Sequence, residues 1–252
     1  TGHAPEPAKA LLAREAAALR YARAVVTTSP ATKRLLASDF GVPEARIAIA
    51  LPGVDPAPRA TGSAEDQPLH LLAVGSVVPR KGYRVLVEAL SGLRGRDWRL
   101  TIVGATDRAP ETTRDLIVAI AAADLGGRID LLGAIPDAAL AEAYARADLF
   151  VMPSLFEGYG MVLTEALARG LPILCTTGGA AAETAPDDAA LKVAPGDATA
   201  LAKALASLID APARRRAMAD AAWAAADALP RWRDTAAIVA GVCLPGFGQK
   251  GD

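Results

Sequence analysis

Glu157 and Glu165 stand with seven residues between them in the stretch PSLFEGYGMVLTEALARGLP, residues 153–172, directly after an apolar run ending at Met152. The order reads as strand, glycine-bearing loop, helix. Gly158 and Gly160 let the backbone turn sharply and approach a ligand closely. A helix starting near Gly160 offers unpaired N–H groups and the positive end of its dipole, which together seat an anion. Glu157 lies just before that seat and Glu165 about one and a half turns inside the helix, so both carboxylates can line one pocket. A carboxylate accepts two hydroxyl hydrogens at once, which suits the vicinal diol of a ribose or a hexose. The bland alternative, two solvated surface acids, fits a bare pair of glutamates. The flanking glycines and the preceding strand argue against it here.

A second constellation lies in LLAVGSVVPRKGYRVLVEAL, residues 71–90, where an apolar strand ends at Gly75 and Arg80, Lys81 and Gly82 precede a helix. Two adjacent cations opposite an anion seat would hold a diphosphate, Arg by its planar fork and Lys as a point charge. An isolated Arg-Lys pair is usually only solvated, so its agreement in order with the Glu157 segment carries the reading. In the third stretch, RIDLLGAIPDAALAEAYARADLFVMPS, a strand is followed by a loop at Gly133, with Asp137 placed to N-cap the next helix.

These segments need a scaffold. The runs Leu69 to Gly75, Leu100 to Gly104, Ile129 to Leu132, Leu149 to Met152 and Ile173 to Cys175 are strand-like and alternate with helical periods. That alternation predicts an α/β fold, a Rossmann-like parallel sheet with helices on both faces. Ligands of such sheets sit at the carboxyl ends of the strands, where the loops at Gly75, Gly104, Gly133 and Pro153 begin. Two Ala-rich helices, about 199–209 and 213–226, are expected to pack on the sheet. Upstream, a helix over 7–23, a strand over 24–28, a helix opened by Ser29 and Pro30 and closed by Gly41, and a strand over 47–51 precede a Pro/Gly-rich polar segment read as a linker.

Composition narrows the classes. With 252 residues, 52% of them hydrophobic, the chain can fill a sizeable core. A formal net charge of −1 gives no reason to expect nucleic acid, and the run Arg214, Arg215 and Arg216 reads as a solvated helix face. No stretch approaches the roughly 20 apolar residues of a membrane span, so a soluble protein is expected. Cys175 and Cys243 lack metal or disulfide spacing, and His3 and His70 form no visible base or metal ligand. A Ser-His-Asp hydrolase lacks its GxSxG elbow, and VGSVVPRKG lacks the GxGxxG of a dinucleotide-binding oxidoreductase. Residue 1 is Thr rather than Met and no secretory pattern follows, which points to a truncated or processed chain.

In the setting PSxxEGYGxxxxEAxAxGxP, the pair Glu157 and Glu165 resembles the E-x7-E signature of the family-four retaining glycosyltransferases of the GT-B fold. That resemblance implies that Glu157 contacts the transferred sugar and Glu165 holds the ribose. Gly158, Tyr159, Gly160 and Met161 would offer backbone amides to sugar hydroxyls and diphosphate. By the same resemblance Gly75 packs near the diphosphate, Arg80 and Lys81 stabilise its phosphates as leaving group, and Gly133, Ala134 and Ile135 shape the base pocket. Glu183 matches a family loop near the donor, with a helix-start role as the plain alternative. Ser29 resembles a serine at the end of the first domain, where capping is the simpler account.

The resemblance further implies a nucleotide-diphosphate sugar as substrate, UDP-, GDP- or ADP-linked, with no cofactor and no metal. The acceptor would be a glycan, lipid or small molecule, and the enzyme bacterial and cytoplasmic, with peripheral membrane contact through a missing N-terminal part. It divides the chain into 1–58, the end portion of an acceptor-side domain, itself a remnant of a Rossmann-like domain; 59–68, a linker; 69–228, the donor-binding domain; and 229–252, a helix packing back on the first domain with a loose tail. A GT-B domain is of the order of 100–200 residues, so most of the first one would be absent. A binding-only nucleotide-sugar module is the other function that this division leaves open.

Overall fold

A computed structural model of the chain describes residues 6–64 and 66–244. His3 and most of the expected loose tail lie outside the described residues. Contacts divide the chain into two compact units: the residues up to Gly53 together with those from Pro230 on, and Val54–Leu229.

In the first unit α1 (Glu6–Tyr21), β1 (Val25–Thr27), α2 (Pro30–Phe40) and β2 (Ile47–Ile49) are joined by short turns. Ser29 is extended and its hydroxyl oxygen accepts the Thr32 N–H at 3.0 Å, Pro30 opens α2, and Gly41 closes it in the left-handed conformation. That is the capping chemistry read from the sequence. Strands β1 and β2 pair in parallel, Val25 beside Ile47, and Leu36, Val42 and Ile47 form a small core with Leu19, Val25 and Phe40. The C-terminal helix of this unit (Trp232–Cys243) is tied to it by the Thr235 hydroxyl, which donates to the Leu51 carbonyl at 2.6 Å.

The second unit holds six parallel strands: β3 (Leu69–Val74), β4 (Trp98–Val103), β5 (Ile129–Gly133), β6 (Leu149–Met152), β7 (Ile173–Thr176) and β8 (Ala190–Val193). Their order is β5-β4-β3-β6-β7-β8. The chain builds outward from β3 to β5, returns to lay β6 beside β3, and builds outward again. The reversal lies between β3 and β6, and the crevice outside their carboxyl ends is where such sheets take ligands. The loops that follow these two strands carry Arg80 with Lys81, and Glu157.

Each face of the sheet is dry. On one, Leu71, Leu100 and Ile102 pack with Leu86 and Leu90 of α3 (Tyr83–Ser91), Leu116 of α4 (Pro110–Ala122) and Leu205 of a later helix (Ala198–Ile209). On the other, Leu72, Phe150 and Met152 meet Tyr144 of α5 (Asp137–Ala145) and Leu163 and Leu167 of α6 (Met161–Leu167). Burial on both faces explains the apolar runs Leu71–Val74 of β3 and Leu149–Met152 of β6.

Three local readings differ from the structure. The division between units falls at Gly53, ahead of the expected linker 59–68. Part of that segment is bound to the second unit: Ala60 N–H donates to the Arg169 carbonyl at 2.8 Å, and Ser63 donates through its N–H and hydroxyl to the Asp148 carboxylate. Asp137 is not the N-cap of α5. Pro136 takes that place and accepts the Leu140 N–H at 3.0 Å, so Asp137 acts on the helix dipole from the first turn instead. Strand β8 was not expected at all. It is four residues long, sits at the edge and carries Lys192, and charge and shortness at an edge erase the apolar signature.

Candidate functional site

The loop after β3 makes a single 3-10 turn, Pro79–Lys81, ending at Gly82 with φ +67°. A Cβ at Gly82 would lie 2.1 Å from the Pro153 carbonyl oxygen, so the residue must be glycine for the loops after β3 and β6 to meet backbone to backbone. The Leu155 N–H then donates to the Arg80 carbonyl at 2.7 Å and fixes their register.

Between these loops the charged groups meet. Lys81 Nζ donates to Glu157 Oε1 at 2.6 Å, Arg80 donates to Glu157 Oε2 at 3.0 Å, and the Ser154 hydroxyl donates to Oε1 at 2.7 Å. Glu157 is 5% exposed and Lys81 8%, whereas the Arg80 side chain is 54% exposed. Burial pushes the Glu157 carboxyl upward, but the Lys81 bond and charge, the Ser154 hydroxyl and the Arg80 charge outweigh it and hold the group below its ordinary value of 4.5. The Glu157 backbone is fixed as well, its N–H donating to the Gly178 carbonyl and its carbonyl accepting the Ala180 N–H. Gly75 makes room for this arrangement: at φ +150° a Cβ would come within 2.9 Å of Lys81 Cε, and its carbonyl accepts the Tyr83 hydroxyl at 2.8 Å.

This cluster has a pH signature. A carboxyl depressed on folding gives stability that is complete above its unfolded value and is lost as pH falls through its lower folded value. The advantage of the wild type over Glu157→Gln should therefore stay level above about pH 4.5 and shrink below it. Denaturant unfolding of both proteins across that range measures it.

Glu165 lies on α6, eight residues beyond Glu157. Its Oε2 accepts the Tyr144 hydroxyl at 2.8 Å, and its side chain is half-buried. Gly160 takes the N-cap position of α6 in the left-handed conformation, and no side chain caps that end. Tyr159 is buried, with its carbonyl bonded by the Thr184 hydroxyl, and Met161 is exposed. Gly133 turns the chain out of β5, leaving Ala134 exposed and Ile135 packed on the α5 side of the core. A cavity of about 580 Å³ lies beside Ala134, walled by Ala105, Thr106, Asp107 and Arg108 of the loop after β4. Glu183 sits in the short helix Ala181–Thr184, which follows the turn bonded to Glu157.

The residues singled out in the sequence for this site thus lie in the segments that follow the strands' carboxyl ends, with Glu165 inside α6. Arg80, Lys81 and Glu157 form one bonded cluster. Sequence reasoning missed Ser154 and Tyr144. Ser154 stands three residues before Glu157 in the quoted motif, a spacing that could have drawn notice, whereas nothing local marks Tyr144. Cavities of about 490 and 630 Å³ near Asp148 and His70 lie at the opposite, amino ends of the strands. There His70 Nε2 contacts Thr101 Oγ1 at 2.8 Å, and burial lowers the histidine's pKa. Among the described residues no group of three or more His, Cys, Asp or Glu is placed to hold a metal, and no helix is long and apolar enough to cross a membrane.

Comparison with known proteins agrees with this layout. Residues 56–224 match the family model described as glycosyl transferases group 1, and residues 1–58 match glycosyltransferase family 4. The chain is 33% identical over 255 residues to D-inositol 3-phosphate glycosyltransferase of Arthrobacter sp. (strain FB24), covering 94% of this chain and 59% of that one. It is 34% identical over 165 residues to GDP-mannose-dependent monoacylated alpha-(1-6)-phosphatidylinositol monomannoside mannosyltransferase of Corynebacterium glutamicum, covering 62% and 42%. Among solved structures, sucrose-phosphate synthase of Thermosynechococcus elongatus aligns with a TM-score of 0.82 at 28% identity, over 96% of this chain and 63% of that one. The chain therefore spans less than two thirds of the length of these relatives. The parallel sheet with flanking helices matches GT-B glycosyltransferase structures. With the crevice, the loops and the carboxylates ordered as they are, and with two thirds of its length matching the family model, the chain belongs to the glycosyl transferases group 1 family.

Proposed function

We propose that this chain forms the donor-binding part of a retaining glycosyltransferase, taking a nucleoside-diphosphate sugar into the crevice outside β3 and β6. The observation that carries the reading is the Arg80–Glu157–Lys81 cluster in that crevice, with Glu165 on the helix that follows. Lys81 has three N–H donors and Arg80 five, so both retain donors for a diphosphate while Glu157 holds them in place. Two cations and one carboxylate leave the cluster with one net positive charge, which favours the dianionic leaving group. Glu165 would accept the ribose hydroxyls, Glu157 would meet the sugar, and the amides of Gly158 to Met161 would bond sugar and phosphate. The loop at Gly133, Ala134 and Ile135 would line the base.

In the reaction the bond between the sugar's anomeric carbon and the β-phosphate oxygen breaks, and an acceptor oxygen bonds to that carbon on the same face. The acceptor's proton passes to the departing phosphate. Arg80 and Lys81 stabilise charge as it builds on that phosphate, so catalysis is positioning and electrostatics rather than a protein nucleophile, and no metal enters. Two relatives' names support an acceptor of the inositol-phosphate or phosphoinositide-mannoside class and, in one of them, a GDP-mannose donor. The reaction would take place in the cytoplasm or at the inner face of the membrane.

The test is to incubate the intact protein with UDP-, GDP- and ADP-linked sugars and an inositol-phosphate acceptor in chelator, and to read the product's anomeric configuration by NMR. Retained configuration supports the proposal and inversion overturns the retaining mechanism. Binding without transfer or donor hydrolysis would make this a binding-only module.

A further inference from the structure

We infer that Tyr144 is a positioning residue for donor binding: its buried hydroxyl holds one oxygen of Glu165 and so presents the other to the ribose. The inference rests on the proposed role of Glu165 as the ribose contact.

Tyr144 is held on several sides. Its ring has no exposed surface and stacks on Phe150 with centroids 5.8 Å apart and planes 22° from parallel. The Arg169 guanidinium carbon lies 4.5 Å from the ring centroid, and Arg169 also donates to the Glu165 backbone carbonyl at 2.9 Å. A phenylalanine would fill the same space, so the hydroxyl's contribution is its bond to Glu165 Oε2 at 2.8 Å. Burial and the neighbouring Glu165 charge both push the phenol's pKa well above 10, and it remains a donor at any ordinary pH.

A glutamate has three side-chain torsions, and ordering them at the moment of binding costs affinity. Tyr144 orders them when the protein folds. With Oε2 engaged, the carboxylate's rotation is restrained and Oε1 is the oxygen that would take a hydroxyl donor. Tyr144 also lies on α5, directly after the loop of Gly133, Ala134 and Ile135, and shares an apolar cluster with Ile135. One side chain therefore ties the ribose contact to the element that carries the proposed base loop.

The experiment titrates the intact protein with whichever of UDP, GDP and ADP binds it and with the 2′-deoxy counterpart. Tyr144→Phe should raise the ribonucleotide's dissociation constant roughly tenfold. The 2′-deoxy form should weaken by less than about threefold, so the preference for ribose collapses. In a Glu165→Ala background the same change should add less than about twofold, the non-additivity of two groups acting as one. Replacing Tyr144 by 3-fluorotyrosine keeps the ring while changing the hydroxyl's acidity, and should shift the preference even if Tyr144→Phe proves unstable. If Glu165→Ala abolishes the ribose preference while both Tyr144 replacements retain it, this inference is overturned and the role of Glu165 stands. If the wild type binds no nucleoside diphosphate, or Glu165→Ala keeps the preference, the role of Glu165 fails and the inference with it.

Discussion

Lys81→Met is expected to lower turnover of the intact protein by roughly 10²–10³-fold while weakening nucleoside-diphosphate binding by no more than about tenfold. The asymmetry follows from where charge develops. In the proposed ground state the diphosphate's charge is spread over both phosphates, and Arg80, the amino end of α6 and the loop amides would share its binding. As the glycosidic bond loosens, new charge gathers on the leaving oxygen, and the proposal gives Lys81 the stabilisation of that charge. Its ammonium is buried, fixed at 2.6 Å on Glu157, and passes close over Gly75, so it needs no reorganisation during the reaction. Steady-state kinetics for donor hydrolysis or transfer, set beside calorimetric titration, separate the two quantities. Equal losses in both would mean that Lys81 only binds.

Glu157→Leu is expected to destabilise the protein by about 3–5 kcal/mol, because it strands a buried ammonium without a counter-charge. Arg80 adds little to this cost, since its side chain is 54% exposed and turns to water. The double variant Lys81→Met with Glu157→Leu should recover more than half of the loss, because an apolar pair of similar volume removes the uncompensated charge. For a domain of this size each kcal/mol moves the melting temperature by roughly 2–4 °C, so the single variant is readily separated from the double in a thermal scan. Additive losses would show that the two side chains are not coupled in the folded state. Burial distinguishes this pair from the surface pairs Arg96–Asp210 and Arg146–Glu142, whose loss should cost little.

The parts of this architecture legible in the sequence are those whose physics is local. The apolar runs at Leu69, Leu149 and Ile173 announced strands buried on both faces. Ser29, Pro30 and Gly41 announced a helix's ends, and the glycines around Glu157 announced a turn that approaches a ligand. What was not legible depends on contacts between distant segments. Glu157 lies 76 residues from Lys81, and nothing in either stretch says that the carboxylate accepts from both cations. The order β3 beside β6 creates that meeting, and Gly82 against Pro153 makes it close. Tyr144 reads as one more apolar residue of an alanine-rich helix until its hydroxyl is found on Glu165. Strand β8 has too few residues and too much charge to show a period, and Asp137 misled because an acid in a first turn serves the dipole as readily as the cap.

The proposed crevice between the loops after β3 and β6 would bind a nucleoside-diphosphate sugar through Glu165 without a metal. Calorimetric titration of the intact protein with UDP-, GDP- and ADP-linked sugars in the presence of chelator, repeated on Glu165→Ala, addresses it directly. Saturable binding of at least one of the three is expected, with a loss of about tenfold or more in the variant. Absence of binding by all three, or equal affinity in wild type and variant, would contradict it.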